Sequence, residues 1–128
     1  MSDVTLCPCG SGLGYDACCG PIHGGAAALT AEALMRSRFS AFALGLAPYL
    51  LASWHPSSRP ASLDLEPDTE WRRLQLIDVV AGGPDDSEGV VEFRASYRSP
   101  AGAEVLHERS RFTRHDGRWV YLDGDQLA

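Results

Sequence analysis

Near its start the chain reads Cys7-Pro8-Cys9-Gly10-Ser11-Gly12-Leu13-Gly14-Tyr15-Asp16-Ala17-Cys18-Cys19-Gly20. This stretch holds all 4 cysteines of the 128-residue chain, in two close pairs joined by a glycine-rich loop. Four soft thiolates fill the shell of a tetrahedral ion, so the stretch predicts a zinc site with Cys7, Cys9, Cys18 and Cys19 as ligands. A filled shell leaves no open position for water, which indicates a structural metal and not a catalytic one.

Three alternatives to this plain zinc site are open. Disulfide bonds between the two pairs are conceivable, but they persist mainly in oxidising compartments. A redox switch would release the zinc when exposed thiolates are oxidised. His23 lies close enough in sequence to replace one cysteine, although four thiolates need no further ligand and histidines in linkers usually face solvent.

Length and charge bound the class of protein. A chain of 128 residues corresponds to about one domain beside a small metal knuckle. The net charge of -6 disfavours binding of nucleic acid through phosphate contacts. Met1 to Leu6 lacks the basic and apolar run of a signal peptide, and no segment offers ~18 uninterrupted apolar residues. The sequence therefore predicts a cytoplasmic protein without a membrane span.

The knuckle carries a first resemblance. Gly10-Ser11-Gly12 and Tyr15, set between the cysteine pairs, are similar to the SEC-C motif, a short zinc-binding hook. The resemblance implies the same four cysteine ligands. The motif commonly carries lysines between its cysteine pairs, and this loop has none. We therefore expect a protein partner of the knuckle to be bound through apolar contacts of Leu13 and Tyr15, with a weak dependence on salt.

Two helices are predicted after a flexible link at Ile22-His23-Gly24-Gly25. The first is capped by Thr30 and stopped by Gly45. Its apolar arc comprises Leu34, Met35, Phe39, Phe42 and Leu46, and its other side Arg36, Ser37 and Ser40. The second helix begins at Pro48 and runs through Trp54, before the stop at Pro56. Ser57 to Glu70 is predicted to be a loop, with a short helical turn near Ser62 to Leu65.

In the second half of the chain, the pattern of residue types repeats every two residues, as in a β-strand. Four antiparallel strands are predicted at Trp71–Val80, Val90–Arg98, Val105–Thr113 and Arg118–Leu122. Helices followed by long strands indicate an α+β fold, in which a helical hairpin packs in a curved antiparallel sheet and leaves a cone-shaped pocket. We divide the chain into residues 1–21, the zinc-binding motif, and residues 22–128, which hold the main core.

Five residues are candidates for the wall or floor of the cone. Arg38 projects between Leu34 and Phe42 on the helix, and strand parity places Glu108 with Leu106 and Phe112. Because each charge is costly to bury alone, we expect Arg38 and Glu108 to form an ion pair. Two alternatives stay open: Arg38 snorkels past the edge of the core, or both side chains reach solvent at opposite edges and never meet. The full set of pocket candidates is Arg38, Trp54, His55, Glu108 and Phe112.

A second resemblance covers nearly the whole chain. It rests on Leu34-Met35-Arg36-Ser37-Arg38-Phe39, Tyr49-Leu50, Trp54-His55-Pro56, Glu70-Trp71, Glu108-Arg109-Ser110-Arg111-Phe112 and Gly117-Arg118-Trp119-Val120-Tyr121-Leu122-Asp123-Gly124. These segments resemble the YchJ family, which joins a SEC-C motif to a nuclear-transport-factor-2-like (NTF2-like) domain. The resemblance implies the fold and leaves the activity open.

Two functional classes follow. In the first, the chain is a binding or adaptor module whose zinc knuckle presents a surface to a protein and whose cone holds a small ligand or peptide. In the second, it is a small enzyme that uses Glu108 or His55 in an apolar pocket, where burial shifts a pKa toward neutrality. The sequence shows no nucleophile with its base, no nucleotide loop and no second metal cluster, which favours the binding module.

Overall fold

The computed structural model describes residues 5–127. Most of Met1–Leu6, the segment that lacks the pattern of a signal peptide, therefore lies outside the described residues. The helical elements are a 3-10 turn at Tyr15–Ala17 and the helices α1 (Cys19–His23), α2 (Ala31–Leu44) and α3 (Ala47–Ala52). The strands are β1 (Glu70–Ala81), β2 (Glu88–Ser99), β3 (Gly102–His115) and β4 (Arg118–Gln126). The predicted α+β order of helices before strands is confirmed.

Helix α2 begins and ends as predicted, whereas α3 is shorter than predicted. Thr30 Oγ1 accepts a hydrogen bond from Ala33 N at 3.0 Å, and Gly45 ends α2 with a φ of 75°. Helix α3 ends before Trp54, because the backbone there pairs with β4. Tyr121 N donates to the carbonyl of Ser53 and His55 N donates to the carbonyl of Tyr121, each at 2.8 Å. Strand pairing thus replaces the last predicted helical turn.

The four strands form one antiparallel sheet in the order β1-β2-β3-β4. The sheet extends beyond the predicted bounds at several ends; β3 begins at Gly102 and β4 continues to Gln126. The extra residues are polar or small, and most of them are exposed. An antiparallel sheet tolerates such residues on its solvated face, so apolar alternation alone underestimates strand length.

The inner face of the sheet packs on α2. Val91, Phe93 and Ala95 alternate along β2 with buried side chains, as the period of two predicts. They meet the apolar side of α2, where Leu34 and Phe39 are also buried. Each large side chain buried in this way contributes about 1.5–3 kcal/mol to folding. The same core cluster includes Cys7, Cys9 and Cys19, so the cysteine cluster packs directly on this core.

The prediction that one side of α2 is polar and faces away from the core is wrong. Ser37 and Ser40, assigned to the side away from the core, are both 0% exposed, while Phe42 is only half-buried. The reason is that the sheet covers one side of α2 and the knuckle with α3 covers another. Small hydroxyl side chains fit there because they bond to neighbours within the cluster.

Two loop predictions also differ from the structure. Residues 62–65 form no helical turn; Leu63 and Leu65 are half-buried between exposed neighbours, which is the alternation of an extended segment. The predicted flexible link is partly helical, since Ile22 and His23 complete α1. The predicted boundary between residues 21 and 22 falls inside α1, and the division into two domains stays a prediction.

Candidate metal centre

The four cysteines are brought together by a small hairpin and the start of α1. Cys7 N donates to the carbonyl of Leu13 at 2.9 Å, and Leu6 pairs with Gly14, so the loop returns on itself. Gly10 and Gly12 make this return with φ values of 80° and 85°, which glycine adopts at little cost. Cys18 and Cys19 follow the 3-10 turn at the start of α1.

The sulfur positions fit a tetrahedral metal ion. All four Sγ atoms lie within 4.8 Å of one another. The Sγ atoms of Cys9 and Cys18 are 3.6 Å apart, and those of Cys18 and Cys19 are 3.9 Å apart. A tetrahedron with metal–sulfur bonds of about 2.3 Å has sulfur–sulfur edges of roughly 3.8 Å. All four cysteines are free thiols at separations far above a disulfide bond of about 2.05 Å.

The ionisation of these thiols also indicates a cation. Cys9, Cys7 and Cys19 are buried, and Cys18 is half-buried. A hydrogen bond with Cys19 lowers the pKa of Cys9, and the same bond raises the pKa of Cys19. One thiolate thus opposes the ionisation of its neighbours. Four adjacent thiolates become compatible with burial only when a positive ion balances their charge.

Three polar side chains surround the sulfurs. Ser40 of α2 donates its hydroxyl to Cys19 Sγ at 3.3 Å and also lies 3.3 Å from Cys7 Sγ. Ser11 Oγ lies 3.1 Å from Cys18 Sγ. Arg36 donates through Nη1 to the carbonyl of Cys9 at 3.0 Å. None of these three roles was predicted. Polar residues recur at helical spacing in α2, and this pattern is ambiguous, because it occurs on solvated faces and also on faces that pack against a polar partner.

His23 holds the knuckle to α2. Its Nε2 donates to the carbonyl of Ser37 at 2.7 Å, so Nδ1 accepts the hydroxyl of Tyr15 at 2.6 Å. Both ring nitrogens are therefore used within the protein, and the expectation of a solvated linker histidine is wrong. Tyr15 is correspondingly half-buried and packs against Gly20, which leaves Leu13 as the exposed member of the predicted docking pair.

The predicted ion pair between Arg38 and Glu108 does not form. Arg38 is 4% exposed, and its Nη1 donates to the carbonyl of Leu50 at 2.8 Å and to Ser53 Oγ at 2.6 Å. Glu108 accepts from Ser110 Oγ at 2.6 Å and from the hydroxyl of Tyr121 at 3.1 Å. Across residues 5–127, Arg38 makes no salt bridge. Burial without such a partner lowers the pKa of Arg38 to about 10.

Tyr121 connects four of the five pocket candidates. The guanidinium of Arg38 lies 4.7 Å from the centre of the Tyr121 ring. The ring centres of Trp54 and Phe112 lie 5.2 Å and 5.8 Å from that of Tyr121. Glu108 accepts a hydrogen bond from the Tyr121 hydroxyl. The ring of the fifth candidate, His55, lies against His115 at 5.1 Å, and its Nδ1 accepts from Ser57 N at 3.0 Å. The structure thus brings four candidates together around a residue that the sequence analysis did not select, and their role in ligand binding stays a prediction.

A cavity of about 370 Å³ lies elsewhere, between the end of α1, residues 25–28, α3 and the start of β4. None of the five pocket candidates lines it. Within the part of the chain that is described, no helix is both long and apolar enough to cross a membrane.

Comparison with known proteins agrees with this architecture. Residues 5–21 match the model of the SEC-C motif, and residues 30–124 match the model described as YchJ, middle NTF2-like domain. The fold and the cysteine cluster therefore define a SEC-C motif followed by an NTF2-like domain. The chain belongs to the YchJ family, as its resemblance to that family predicted.

Relatives and solved structures support the assignment. The chain is 56% identical to a UPF0225 protein of Streptomyces coelicolor over 122 residues, covering 94% of this chain and 95% of the relative. A UPF0225 protein of Chromobacterium violaceum is 53% identical, with 94% and 92% of the two chains covered. The solution structure of a SEC-C motif containing protein from Rhodopseudomonas palustris matches with a TM-score of 0.81, 34% identity and coverage of 95% and 98%. The crystal structure of a SEC-C motif containing protein from Psychrobacter arcticus matches with a TM-score of 0.76 and 28% identity, and the match covers 95% of this chain and 82% of that one.

Proposed function

We propose that Cys7, Cys9, Cys18 and Cys19 hold one zinc ion whose role is structural. The observation that carries this proposal is the spacing of the four Sγ atoms, all within 4.8 Å of one another. Four thiolates select soft or borderline ions, and a tetrahedral sulfur shell suits zinc. No ligand position is left for water or substrate, so the chemistry that the ion supplies is neutralisation of charge and cross-linking of the loop to α1.

The structural consequence of the site reaches beyond the knuckle. Cys7 and Cys19 contact Ser40, and Cys9 is bound through its carbonyl to Arg36, so two side chains of α2 complete the surroundings of the sulfurs. Three cysteines belong to the same core cluster as Leu34 and Phe112. The zinc site therefore supports the packing of α2 as well as the knuckle. Because thiolate ligands must stay reduced, the proposal places the protein in the cytoplasm.

The whole chain acts, in this proposal, as an adaptor that docks to a protein partner through the knuckle. Leu6 and Leu13 support this role, since they are 63% and 53% exposed in the paired segments of the small hairpin. Burial of these two side chains against a partner would remove apolar surface from water and so favour binding. Affinity for the partner is expected to fall with Leu13→Ala and to change little with salt; a steep salt dependence without an effect of Leu13→Ala would contradict apolar docking.

The zinc proposal is tested with protein purified under reducing conditions. We expect native mass spectrometry and elemental analysis to give one zinc per chain, and Cys18→Ser to lose most of it. Ser96→Ala on β2 is the matched control, because it removes a hydroxyl remote from the sulfurs. Less than half an equivalent of zinc in the unmodified protein would overturn the proposal.

Hydrogen exchange on the same samples tests the shared core. Loss of the metal is expected to speed amide exchange in residues 5–23 and also in α2, while the centre of the sheet stays protected. Exchange that changes in the knuckle alone would contradict the structural link to α2.

A further inference from the structure

The cavity of about 370 Å³ has the size and lining of a small-molecule site. One wall is the end of α1, a second is the chain at residues 25–28, and the others come from α3 and the start of β4. Leu34, Trp119 and Val120 give it an apolar interior, and all three are buried. The cavity is distinct from the metal centre and from the cluster around Tyr121.

Most polar groups of the lining are already bonded within the protein. The two ring nitrogens of His23 bond to Tyr15 and to the carbonyl of Ser37. The hydroxyl of Tyr49 lies 2.6 Å from Ser37 Oγ. Ser53 Oγ accepts from Arg38 and donates to the carbonyl of Leu50. These groups shape the wall and offer few contacts to a ligand.

Arg118 is the exception. It lies exposed at the rim and uses Nη2 to bond the carbonyl of Gly25 at 2.6 Å. Within residues 5–127 the rest of its guanidinium fork has no partner, and no aspartate or glutamate lines the cavity. Arg38, whose Nη1 donates to Ser53 Oγ, adds a second guanidinium that forms no salt bridge within the described part of the chain. The cavity is thus positively biased in a chain of net charge -6.

We propose that this cavity binds a small molecule with an apolar body and one carboxylate, and that Arg118 receives the carboxylate. An apolar interior selects the body by its buried surface. A planar guanidinium matches a planar carboxylate with parallel N–H···O bonds. A single rim arginine suits a monoanion better than a phosphate dianion, whose charge needs more donors.

The cavity rests on the proposed zinc centre in one respect. Helix α1, whose end forms one wall, begins at the proposed zinc ligand Cys19. The experiment therefore uses metal-loaded protein, with zinc content measured on every variant. Loss of zinc would count against the metal centre, whereas altered binding at full zinc content concerns the cavity alone.

Titration calorimetry with three probes of equal chain length tests the proposal: sodium octanoate, 1-octanol and octylammonium chloride. We expect octanoate to bind about tenfold more tightly than octanol, and octylammonium to bind more weakly than either. Arg118→Gln should abolish the preference for octanoate, and Arg118→Lys should retain part of it. Arg94→Gln is the control, because Arg94 is exposed on β2 and does not line the cavity.

A substitution that fills the cavity locates the binding. Ala52→Phe places a ring in the cavity from the end of α3, and it should weaken all three probes. Ala27→Leu adds a branched aliphatic side chain from another part of the lining, residues 25–28, and serves as the second variant. Equal affinity for octanoate and octanol, a preference that survives Arg118→Gln, binding unaffected by both filling variants, or no measurable binding of octanoate would each overturn the proposal.

Discussion

Ser40→Ala is the most informative single substitution near the metal centre. Ser40 is 0% exposed, and its Oγ lies 3.3 Å from both Cys7 Sγ and Cys19 Sγ. When the sulfurs are thiolates, the hydroxyl has one proton and donates to one of them. The substitution therefore removes one hydrogen bond to a charged group, worth about 1.5–3 kcal/mol. This corresponds to a loss of about 10- to 100-fold in zinc affinity.

Ser37→Ala supplies the matched control on the same helix. Ser37 is also 0% exposed, but it donates to the carbonyl of Leu34 and is bonded to the hydroxyl of Tyr49, away from the sulfurs. It should cost about 1 kcal/mol of folding stability and leave zinc affinity unchanged. Zinc affinity is measured by competition with a chromophoric chelator in reducing buffer, and stability by urea unfolding. The reasoning is refuted if Ser40→Ala binds zinc within twofold of the unmodified protein, or if both variants lose affinity equally.

Two further predictions concern charged side chains outside the metal centre. Arg38→Met should change the free energy of unfolding by less than about 1 kcal/mol. Burial lowers the pKa of Arg38 to about 10, which corresponds to a cost of roughly 3 kcal/mol for burying its charge. This cost offsets most of the stabilisation from the two hydrogen bonds that Nη1 donates. Urea unfolding that shows a destabilisation above about 3 kcal/mol would contradict this balance. Glu92→Gln tests pH dependence. Hydrogen bonds with His107 and Arg109 lower the pKa of Glu92, so its contribution is present above the ordinary glutamate pKa and is lost as pH falls through the lowered value. The difference in the free energy of unfolding between the unmodified protein and Glu92→Gln should therefore shrink as the pH falls. A difference that grows on acidification would contradict this prediction.

The sequence predicted the parts of the fold that depend on local chemistry. Thr30 and Gly45 act as the cap and stop of α2, because capping needs only the residues at the helix end. The parity along β3 correctly placed Glu108 and Phe112 on one face, since both contact Tyr121 in the structure. Four cysteines at close spacing likewise indicated one cluster, which the structure confirms.

What the sequence did not predict depends on contacts between distant segments. Ser40 was assigned to the polar side of α2, because nothing local shows that the knuckle packs there. The ion pair between Arg38 and Glu108 was predicted from the helix face of Arg38 and the strand face of Glu108. These faces show which way each side chain points but not which residue lies between the two. Tyr121 of β4 fills that place, because its ring stacks on Arg38 and its hydroxyl donates to Glu108. His23 could not be recognised as an anchor, because its two partners are a tyrosine in the knuckle and a backbone carbonyl in α2.

Zinc K-edge X-ray absorption on the purified protein tests the central claim most directly, because it reports the atoms bound to the metal. If the cluster of Cys7, Cys9, Cys18 and Cys19 holds the ion, the spectrum will show four sulfur neighbours at about 2.3 Å and no lighter ligand. A nitrogen or oxygen neighbour at about 2.0–2.1 Å, or fewer than four sulfurs, would contradict a closed, structural thiolate site.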